Sequence, residues 1–428
     1  MNAGPRLPAH QASAAPDRSG DDRIFVQIAA YRDPELLPTL RDCIAQADAP
    51  ERLTFGICWQ RATDDSLQEF ADHPAVRVLS VHYSQSRGAC WARSETQALY
   101  RGEAYTLQID SHHRFIRGWD TALRALLQGA RERGSDKPLI TSYAPVYEPG
   151  KPVEPAARPL RLVFDGFSEG GPFQVMPVAM QGRLDGAALE PARFLSAHFL
   201  FTLGVFCREV PYDPKFYFFG EEPAMALRAF THGYDLFHPR CLILWHHYGR
   251  ERAQRHWTDN KRWWLRNERS LLRYRKLVAG DAAADTLGEF GLGRTRTLEA
   301  YERYAGLSLA ERRVSPRTLR GAPPPHPWLA RWASKKLLWE HSADLQLTNL
   351  PAGFGHHPQD SIRLTVRCPR GRVLQQRDLT GASLRAALAV GSHRLRLHAQ
   401  GTPASWSLRT ARAGGEVVTE QTHPWRGL

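Results

Sequence analysis

Short apolar runs alternate with segments of helical periodicity through the first 250 residues of the chain. Four runs have the length and the β-branched or aromatic content of buried strands: 24–30, 53–59, 76–82 and 105–110. Apolar residues that recur every three or four positions predict helices at 88–100, 117–133 and 222–232. Further strands are expected within 138–206 and at 241–245. Strands and helices in this order predict an α/β fold built on a mostly parallel sheet.

The helix after the first strand has a defined start in the sequence. We expect Asp33 to cap it and Pro34 to take its first position, where a proline sacrifices no hydrogen bond. The apolar stripe that follows consists of Leu36, Leu37, Leu40, Cys43, Ile44 and Ala47. These spacings of three and four residues predict a helix that packs one face against the sheet.

The pattern changes beyond residue 250. Aromatic, basic and apolar residues at helical spacing predict a helix over 256–278, and a short helix is expected within 291–304. Period-two alternation between turn residues then predicts a small all-β module. We therefore expect this organisation: a disordered leader (1–22), an α/β domain (23–250), a helical extension (251–312), a Pro-rich linker (313–344) and a β-rich accessory domain (345–428).

The charge of the chain is unevenly distributed. The 428 residues carry a formal net charge of +13. Residues 1–250 contain 27 Lys and Arg against 29 Asp and Glu, whereas residues 251–428 contain 30 against 15. This basic excess indicates either an acidic partner or a solvated Arg-rich surface. Nucleic acid is not an expected partner, because no nucleic-acid-binding motif surrounds these residues.

Cysteine usage and hydropathy bear on the compartment. The six cysteines show no CxxC spacing, and several lie in apolar strand patterns, which favours reduced thiols in a cytoplasm. No run of 18 apolar residues is present, so a membrane-spanning helix is not expected. The composition, rich in Ala, Arg and Pro, is typical of a GC-rich bacterial genome.

The fourth predicted strand ends in Asp110-Ser111-His112. Residues two apart on a strand face the same side, so Asp110 and His112 are expected to project together where the strand ends. A carboxylate beside an imidazole at the open edge of an α/β sheet forms half of a divalent-cation site, suited to manganese or magnesium and to a diphosphate. The alternative is a helix start, since Asp and Ser also begin many helices.

Five segments, in order between residues 24 and 306, resemble a GlcNAc-transferase family. They are IFVQIAAYRDPELLPTLRDCIAQA, RGACWARSETQALYRGEAYTLQIDSHHRFIRGWD, VPYDPKFYFFGEEPAMALRAFTHGYDLFHPR, LILWHHYGR and GLGRTRTLEAYERYAG. The family is typified by a cytoplasmic enzyme that modifies a hydroxyproline of a ubiquitin-ligase adaptor, and the polypeptide GalNAc transferases are more distant relatives. The resemblance implies a GT-A nucleotide-diphospho-sugar transferase fold, a UDP-sugar donor, in the first place UDP-GlcNAc, a divalent cation and a hydroxyl acceptor on a protein, glycan or small molecule.

The resemblance also implies a set of metal ligands. Carried over by motif, these are Asp110, His112 and a histidine of LILWHHY. Relatives have one histidine there, followed by an aromatic residue, whereas this chain has two, and we assign His246 rather than His247. A strand that carries His246 at its end can bring the imidazole to the open face of the sheet, where ligands bind. A packing role for residues 245–248 is the alternative.

The donor site is assigned in the same way. Tyr31, Arg32 and Asp33 follow the first strand, where such folds hold the base and ribose, and helix capping is the alternative for Asp33. Arg93 is expected to face the donor phosphates, because its fork meets phosphate oxygens in two bonds; a surface salt bridge is the alternative. Ser111 is included among the donor-binding residues.

Three carboxylates are candidates for direct action on the sugars. Glu221 and Glu222 follow Gly220 ahead of a helix, and within this family they are expected to bind sugar hydroxyls or the acceptor hydroxyl. The alternative is the general preference of helix N-termini for acidic residues. Asp120 is a further candidate for the donor sugar, with structural support as its alternative.

Two other functions remain as hypotheses at this stage. One is a non-catalytic sugar- or polyanion-binding protein on a decayed transferase scaffold, although the retained metal-ligand and glutamate residues argue against decay. The other is nucleic-acid binding through the basic C-terminal part, against which the lack of a nucleic-acid-binding motif argues. For an active transferase, the same basic excess favours an anionic acceptor.

Overall fold

The computed structural model describes residues 22–182, 189–249, 254–324 and 337–427. Most of the predicted leader and residues 325–336 of the predicted linker lie outside these ranges. In chain order, the strands before residue 250 are β1 (Ile24–Tyr31), β2 (Leu53–Arg61), β3 (Val76–His82), β4 (Tyr105–Asp110), β5 (His113–Phe115), β6 (Pro138–Thr141), β7 (Leu160–Phe167), β8 (Phe173–Ala179), β9 (Leu189–Pro191), β10 (Phe199–Leu203), β11 (Asp235–Pro239) and β12 (Leu244–His246). The helices of this part are α1 (Leu36–Ala45), α2 (Ala89–Gln97), α3 (Trp119–Glu132), α4 (Phe206–Glu209) and α5 (Glu221–Thr231).

An eight-stranded sheet organises this part in the order β3-β2-β1-β4-β10-β6-β11-β9. Strands β3, β2, β1 and β4 are parallel, and β10 runs antiparallel to both of its neighbours. Apolar side chains of β1, β2 and β4 pack with those of α1 and α3 in one buried cluster. The predicted α/β architecture with a mostly parallel central sheet is confirmed.

Three local predictions differ from the structure. Helix α1 begins at Leu36 with Glu35 as its N-cap, so Asp33 does not cap it in the expected way. Strand β11 was not among the predicted strands, because its run of five residues is short and interrupted by His238. The predicted last strand, 241–245, is displaced to β12, which pairs with β5 in a separate two-stranded sheet.

Helices dominate the segment after residue 254. Its elements are α6 (His256–Asp259), α7 (Trp263–Val278), α8 (Asp281–Asp285), α9 (Leu298–Ala305), β13 (Leu307–Ser308), β14 (Arg313–Val314) and α10 (Pro316–Leu319). The single helix predicted over 256–278 is instead two helices, α6 and α7. The break begins at Asn260, whose backbone is extended. Among the described residues, no helix has both the length and the apolar character needed to cross a membrane.

The C-terminal module is built mainly of antiparallel strands. Its elements are β15 (Leu338–Gln346), β16 (Ser361–Arg367), β17 (Val373–Thr380), α11 (Gly381–Val390), β18 (Ser392–Ala399), β19 (Ser405–Ala411) and β20 (Val417–Pro424). Two four-stranded sheets, β13-β14-β15-β18 and β17-β16-β19-β20, enclose a separate apolar core. Helix α11 was not predicted, because its Ala- and Leu-rich sequence lies between two alternating segments.

The predicted linker is corrected at both of its described ends. Strand β14 and helix α10 occupy its beginning, and β15 starts at Leu338. Residues Arg313 and Val314 of β14 pair with Trp339 and Leu338 of β15. One sheet therefore contains strands from both sides of the predicted linker.

Candidate active site

Three potential metal ligands meet at the carboxyl end of β4. Asp110 is the last residue of β4, and His112 follows one residue later. The Nε2 atom of His246 lies 3.3 Å from Asp110 Oδ2, and Nε2 of His112 lies 3.7 Å from the same oxygen. One ligand atom from each residue lies within 4.8 Å of the others. Adjacent oxygen or nitrogen ligands about 2 Å from one ion are about 3 Å apart, so this set fits a divalent cation.

A buried carboxylate orients His112. The Nδ1 atom of His112 lies 2.7 Å from Oδ2 of Asp33, whose side chain is 2% exposed. The Ser111 hydroxyl donates to the same oxygen at 2.6 Å, and Asp33 Oδ1 accepts the N–H of Glu35. A carboxylate on one ring nitrogen fixes the tautomer of a histidine and leaves the other nitrogen for a metal. Asp33 and Ser111 therefore support His112, and their contact with the donor nucleotide stays a prediction.

Backbone pairing on β12 positions His246. Antiparallel pairing with β5 places it opposite His113, and its carbonyl accepts the N–H of Tyr147 at 3.1 Å. His247 instead lies half-buried, with Nδ1 3.3 Å from the Tyr147 carbonyl oxygen, and it is not part of the three-residue group. The structure thus brings His246 rather than His247 to the other two candidate ligands.

Arg93 connects the candidate ligands to the glutamates. Its Nη2 donates to Asp110 Oδ1 at 2.7 Å, and its Nε lies 2.8 Å from Glu221 Oε1. The Arg93 side chain is 7% exposed, so this is a buried network rather than the surface salt bridge of the alternative prediction. Burial favours a lower pKa for Arg93, but the carboxylates of Glu221 and Asp110 raise it, and the guanidinium stays charged. Burial likewise favours a higher pKa for Asp110, yet Arg93 and the histidines hold it well below its usual range.

Glu221 and Glu222 open α5 directly after Gly220, whose φ of 85° favours glycine. Oε1 of Glu222 accepts the Ala197 N–H at 2.9 Å, and Oε2 accepts the Tyr143 hydroxyl at 2.8 Å. Burial raises the pKa of Glu222 to about 7, although both hydrogen bonds favour the charged form. A carboxyl group with this pKa changes its protonation state near neutrality, which suits proton exchange with a hydroxyl group.

Tyr31 and Arg32 lie at the end of β1 and contact the helical extension. The Tyr31 hydroxyl and Arg32 Nη1 both donate to Asp259 Oδ2, at 2.8 and 2.9 Å. The Arg32 guanidinium also lies over the Tyr83 ring, 4.2 Å from its centroid. Helix α6 thereby contacts the edge of the sheet where we expect the donor base. Sequence analysis missed Asp259, because it belongs to a segment outside the α/β pattern.

Asp120 has a structural role. Its two carboxylate oxygens accept the backbone N–H groups of Asp48 and Ala49, at 2.8 and 3.1 Å. The side chain is buried in the first turn of α3. Both oxygens stabilise the turn after α1, which favours the alternative of structural support, and the contact of Asp120 with the donor sugar stays a prediction.

Two rings beside His246 were not singled out by sequence analysis. His198 stacks on His246 with ring centroids 4.3 Å apart, and the centroid of Tyr248 lies 4.2 Å from that of His246. Burial and the neighbouring His246 hold the pKa of His198 well below its usual range, so this imidazole is neutral. Tyr248 lies two residues after the predicted ligand His246 in the same short motif, and this proximity could have identified it. His198 stands in a segment without a motif and gives no such signal.

A cavity of about 850 Å³ opens beside this centre. Its walls include Arg93, Asp110 and Glu222 of the α/β domain. Arg394 and Arg396 of the C-terminal module line the same cavity. The size lies within the range of pockets for drug-sized ligands, about 300–1,000 Å³. A ligand larger than one sugar can therefore contact both parts of the chain.

Comparison with protein families identifies the class of the chain. The model of the family described as "Glycosyltransferase (GlcNAc)" matches residues 23–73 and 66–311, which is more than half of the chain, and the chain belongs to this family. The predicted glycosyltransferase class and fold class are thereby confirmed. No curated protein matches the chain.

Several solved structures are similar at low sequence identity. GalNAc-T7 with UDP, GalNAc and Mn2+ is 14% identical, with a TM-score of 0.41, over 54% of this chain and 44% of that chain. S. aureus TarS is 10% identical, with a TM-score of 0.39, over 92% and 77%. S. aureus TarS 1–349 in complex with UDP-GlcNAc is 13% identical, with a TM-score of 0.36, over 55% and 60%. The first and third matches span less than two thirds of those chains, and likenesses this weak carry no argument about substrates.

Proposed function

We propose that this chain is a metal-dependent glycosyltransferase that moves N-acetylglucosamine from UDP-GlcNAc to a hydroxyl acceptor. The observation that carries the proposal is the convergence of Asp110, His112 and His246 at the end of β4, beside the cavity. The choice of N-acetylglucosamine rests on the description of the matched family.

The proposed metal site consists of one carboxylate and two imidazoles. Asp110, His112 and His246 would hold manganese or magnesium, with other positions left for diphosphate oxygens and water. A cation bound there would neutralise the negative charge that develops on the departing UDP. Arg93 fixes the Asp110 carboxylate by a hydrogen bond to the oxygen that does not face the histidines.

The two glutamates have different proposed roles. Glu221 lies 2.8 Å from Arg93 and is a positioning residue for the Arg93–Asp110 pair. Glu222 lines the cavity, and its pKa is about 7. We propose that it contacts a hydroxyl group of the acceptor or of the donor sugar, from which it can accept a hydrogen bond or a proton. Tyr31 and Arg32 are proposed to contact the donor base, beside Asp259.

A cytoplasmic setting is part of the proposal. All six cysteines are free thiols in the structure, and five of them are buried. Buried thiols without disulfide partners suit a reducing compartment.

Calorimetry of UDP binding tests the proposal. UDP is expected to bind in the presence of manganese and to lose about tenfold or more in affinity when the metal is chelated, since the cation supplies contacts to the diphosphate. Equal affinity with and without chelator contradicts the metal dependence. Hydrolysis of a panel of UDP-sugars then identifies the donor, and a preference for a sugar other than N-acetylglucosamine contradicts that assignment.

The two adjacent histidines offer a matched pair of variants for the same measurement. His246→Ala should weaken manganese binding by about tenfold or more, because one of three protein ligands is lost. His247→Ala removes an imidazole one residue away and should change manganese affinity less than twofold, roughly the scatter of an uninvolved position. A larger loss in His247→Ala reverses the assignment.

A further inference from the structure

Strands β15 and β18 present two different faces. They pair antiparallel from Trp339 opposite Ala399 to Gln346 opposite Ser392. Alternate side chains of both strands belong to the apolar core of the module: Ala343, Leu345, Leu395, Leu397 and Ala399. The opposite face carries polar side chains, because successive residues on a strand alternate between faces. This polar face consists of Glu340, Ser342, Asp344, Arg394, Arg396 and His398.

The polar face is attached to the catalytic domain at the turn of the β7–β8 hairpin. Glu340 accepts the backbone N–H of Phe167 at 3.0 Å, and Arg396 donates to the Asp165 carbonyl at 2.6 Å. Arg312, which precedes β14, donates to the Ser168 carbonyl at 2.9 Å. These bonds fix the polar face relative to the catalytic domain.

Several residues of the polar face line the same cavity as Glu222: Ser342, Arg394 and Arg396. The family match ends at residue 311, so these residues lie outside it. This part of the cavity is therefore contributed by residues beyond the matched region. The proposed metal and donor residues all lie within the matched region, so we assign the part of the cavity beyond it to the acceptor.

Aromatic side chains form another wall of the cavity. Phe218, Phe219 and Trp263 line it, and the ring centroids of Phe219 and Trp263 are 6.4 Å apart. Phe219 is 49% exposed, so its ring is accessible from the cavity. Such a wall offers an apolar surface on which the C–H face of a pyranose ring can pack.

The charges of the polar face are balanced. Arg394 donates through Nε and Nη2 to the two carboxylate oxygens of Asp344, each at 2.8 Å, and its Nη1 lies 3.5 Å from Glu169. Glu169 also lines the cavity, so an anionic ligand there would meet its carboxylate beside Arg394. A hydroxyl group both donates and accepts hydrogen bonds, so a polyhydroxylated ligand can bond to guanidinium and carboxylate together. The net basic charge of the C-terminal part is thus not concentrated at this cavity.

We propose that the acceptor is an uncharged saccharide, bound between the polar face and the wall formed by Phe219 and Trp263. This inference rests on the proposed transferase function and specifies its acceptor. It replaces the anionic acceptor that the overall charge of the chain favours. Arg394 and Arg396 are its specificity-determining residues.

Binding to an array of immobilised ligands tests the inference without the donor. The full-length protein is applied to neutral oligosaccharides (chitotetraose, maltotetraose and cellotetraose), to oligogalacturonate and phosphorylated oligosaccharides, and to Ser/Thr-rich peptides. We expect retention on at least one neutral oligosaccharide. The double variant Arg394→Ala/Arg396→Ala and the separate variant Trp263→Ala should each weaken it about tenfold, the effect of losing a charge-assisted hydrogen bond or an aromatic contact.

Arg363 provides a matched control on the same module. It donates to both carboxylate oxygens of Asp378, at 2.7 and 2.9 Å, as Arg394 does to Asp344, but it does not line the cavity. Arg363→Ala should change retention less than about twofold. Equal losses in the control and in the double variant overturn the inference, as does a preference for anionic oligosaccharides or peptides, or no retention on any neutral oligosaccharide. Failure of the wild-type protein to bind UDP with manganese contradicts the proposed function instead, since the array does not depend on the donor.

Discussion

The buried network around Arg93 and the exposed polar face around Arg394 are built from the same kind of contact. Arg93 lies 2.7 Å from Asp110, and Arg394 lies 2.8 Å from Asp344. Their surroundings differ, because the Arg93 side chain is 7% exposed and that of Arg394 is 58% exposed. Water screens the second pair and replaces either partner, whereas the first pair has no such substitute. Burial rather than distance therefore decides what each arginine contributes.

The sharpest test of this contrast is Arg93→Met. The substitution removes the positive charge between Asp110 and Glu221 and should destabilise the protein by about 3–5 kcal/mol, because a carboxylate is left buried without its partner. Urea unfolding followed by fluorescence measures this loss. Arg93→Lys keeps the charge but not the forked guanidinium, so its stability should lie between those of the wild-type protein and Arg93→Met. A loss for Arg93→Met as small as that of an exposed arginine would remove the distinction between the regions.

A smaller effect is expected at the buried carboxylate beside His112. Asp33→Asn keeps the size of the side chain but removes its charge, so His112 is no longer held in one tautomer. Metal ligands that lose such a partner bind about 10–100-fold more weakly. Manganese titration monitored by calorimetry tests this expectation and does not require turnover. Ser111→Ala removes only the second hydrogen bond to Asp33 and serves as control. Unchanged affinity in Asp33→Asn would show that Asp33 is dispensable for orienting His112.

A third effect concerns pH. In the folded protein the pKa of Glu222 is raised by burial to about 7, against 4.5 for its ordinary value. Between these values the folded chain keeps a proton that the unfolded chain releases. Stability should therefore fall as pH rises from 4.5 to 7, by at most about 1.4 kcal/mol per pH unit. The slope should be smaller in practice, because Glu222 lines the cavity and is only partly buried.

Glu222→Gln isolates this contribution. Urea unfolding of both proteins at a series of pH values should show a difference that grows toward neutrality and is absent below pH 4.5. Identical pH dependence of the two proteins would contradict the raised pKa. The matched position Asp344, on the exposed polar face, should give no such difference in this range, since Arg394 lowers its pKa.

The smallest effect is expected on the exposed face itself. Arg394→Met should change the stability of the protein far less than Arg93→Met, because water replaces the lost partner of an exposed ion pair. Arg363→Met should behave alike, because its pair with Asp378 has nearly the same geometry and exposure. Urea unfolding again provides the measurement. A loss in Arg394→Met comparable to that in Arg93→Met would mean that the polar face is part of the structural core.

Strands and helices with a repeating apolar pattern could be predicted from the sequence. Side-chain contacts between residues far apart in the chain could not. The first four strands and helices α1 to α3 were predicted to within three residues, because their apolar periodicity is strong. The partners of Asp33 and Asp120 were not predictable, since each lies more than 70 positions away. Each residue also fits a local pattern: Asp33 stands where a helix cap is expected, and Asp120 lies in the first turn of a helix. These patterns would look the same whether the side chain bound the donor or supported the fold.

The C-terminal part shows a related limit. Alternation along β18 correctly indicated a strand, but it could not show that the polar face contacts the catalytic domain. The boundary of the module was misplaced for the same reason. Leu338 and Trp339 pair with β14, which precedes the predicted linker in the chain, and proline content carries no information about such pairing.

The pairing of β14 with β15 also constrains how this protein can have evolved. One sheet contains strands from both sides of residues 325–336, so the C-terminal module is not structurally independent of the segment that precedes it. Recombination that replaced the C-terminal module at this point would remove β15, the strand that pairs with β14. The replacement module would have to supply a strand in the same register. With the proposed acceptor site on the polar face, acceptor specificity is expected to change by point substitutions on that face rather than by exchange of the whole module.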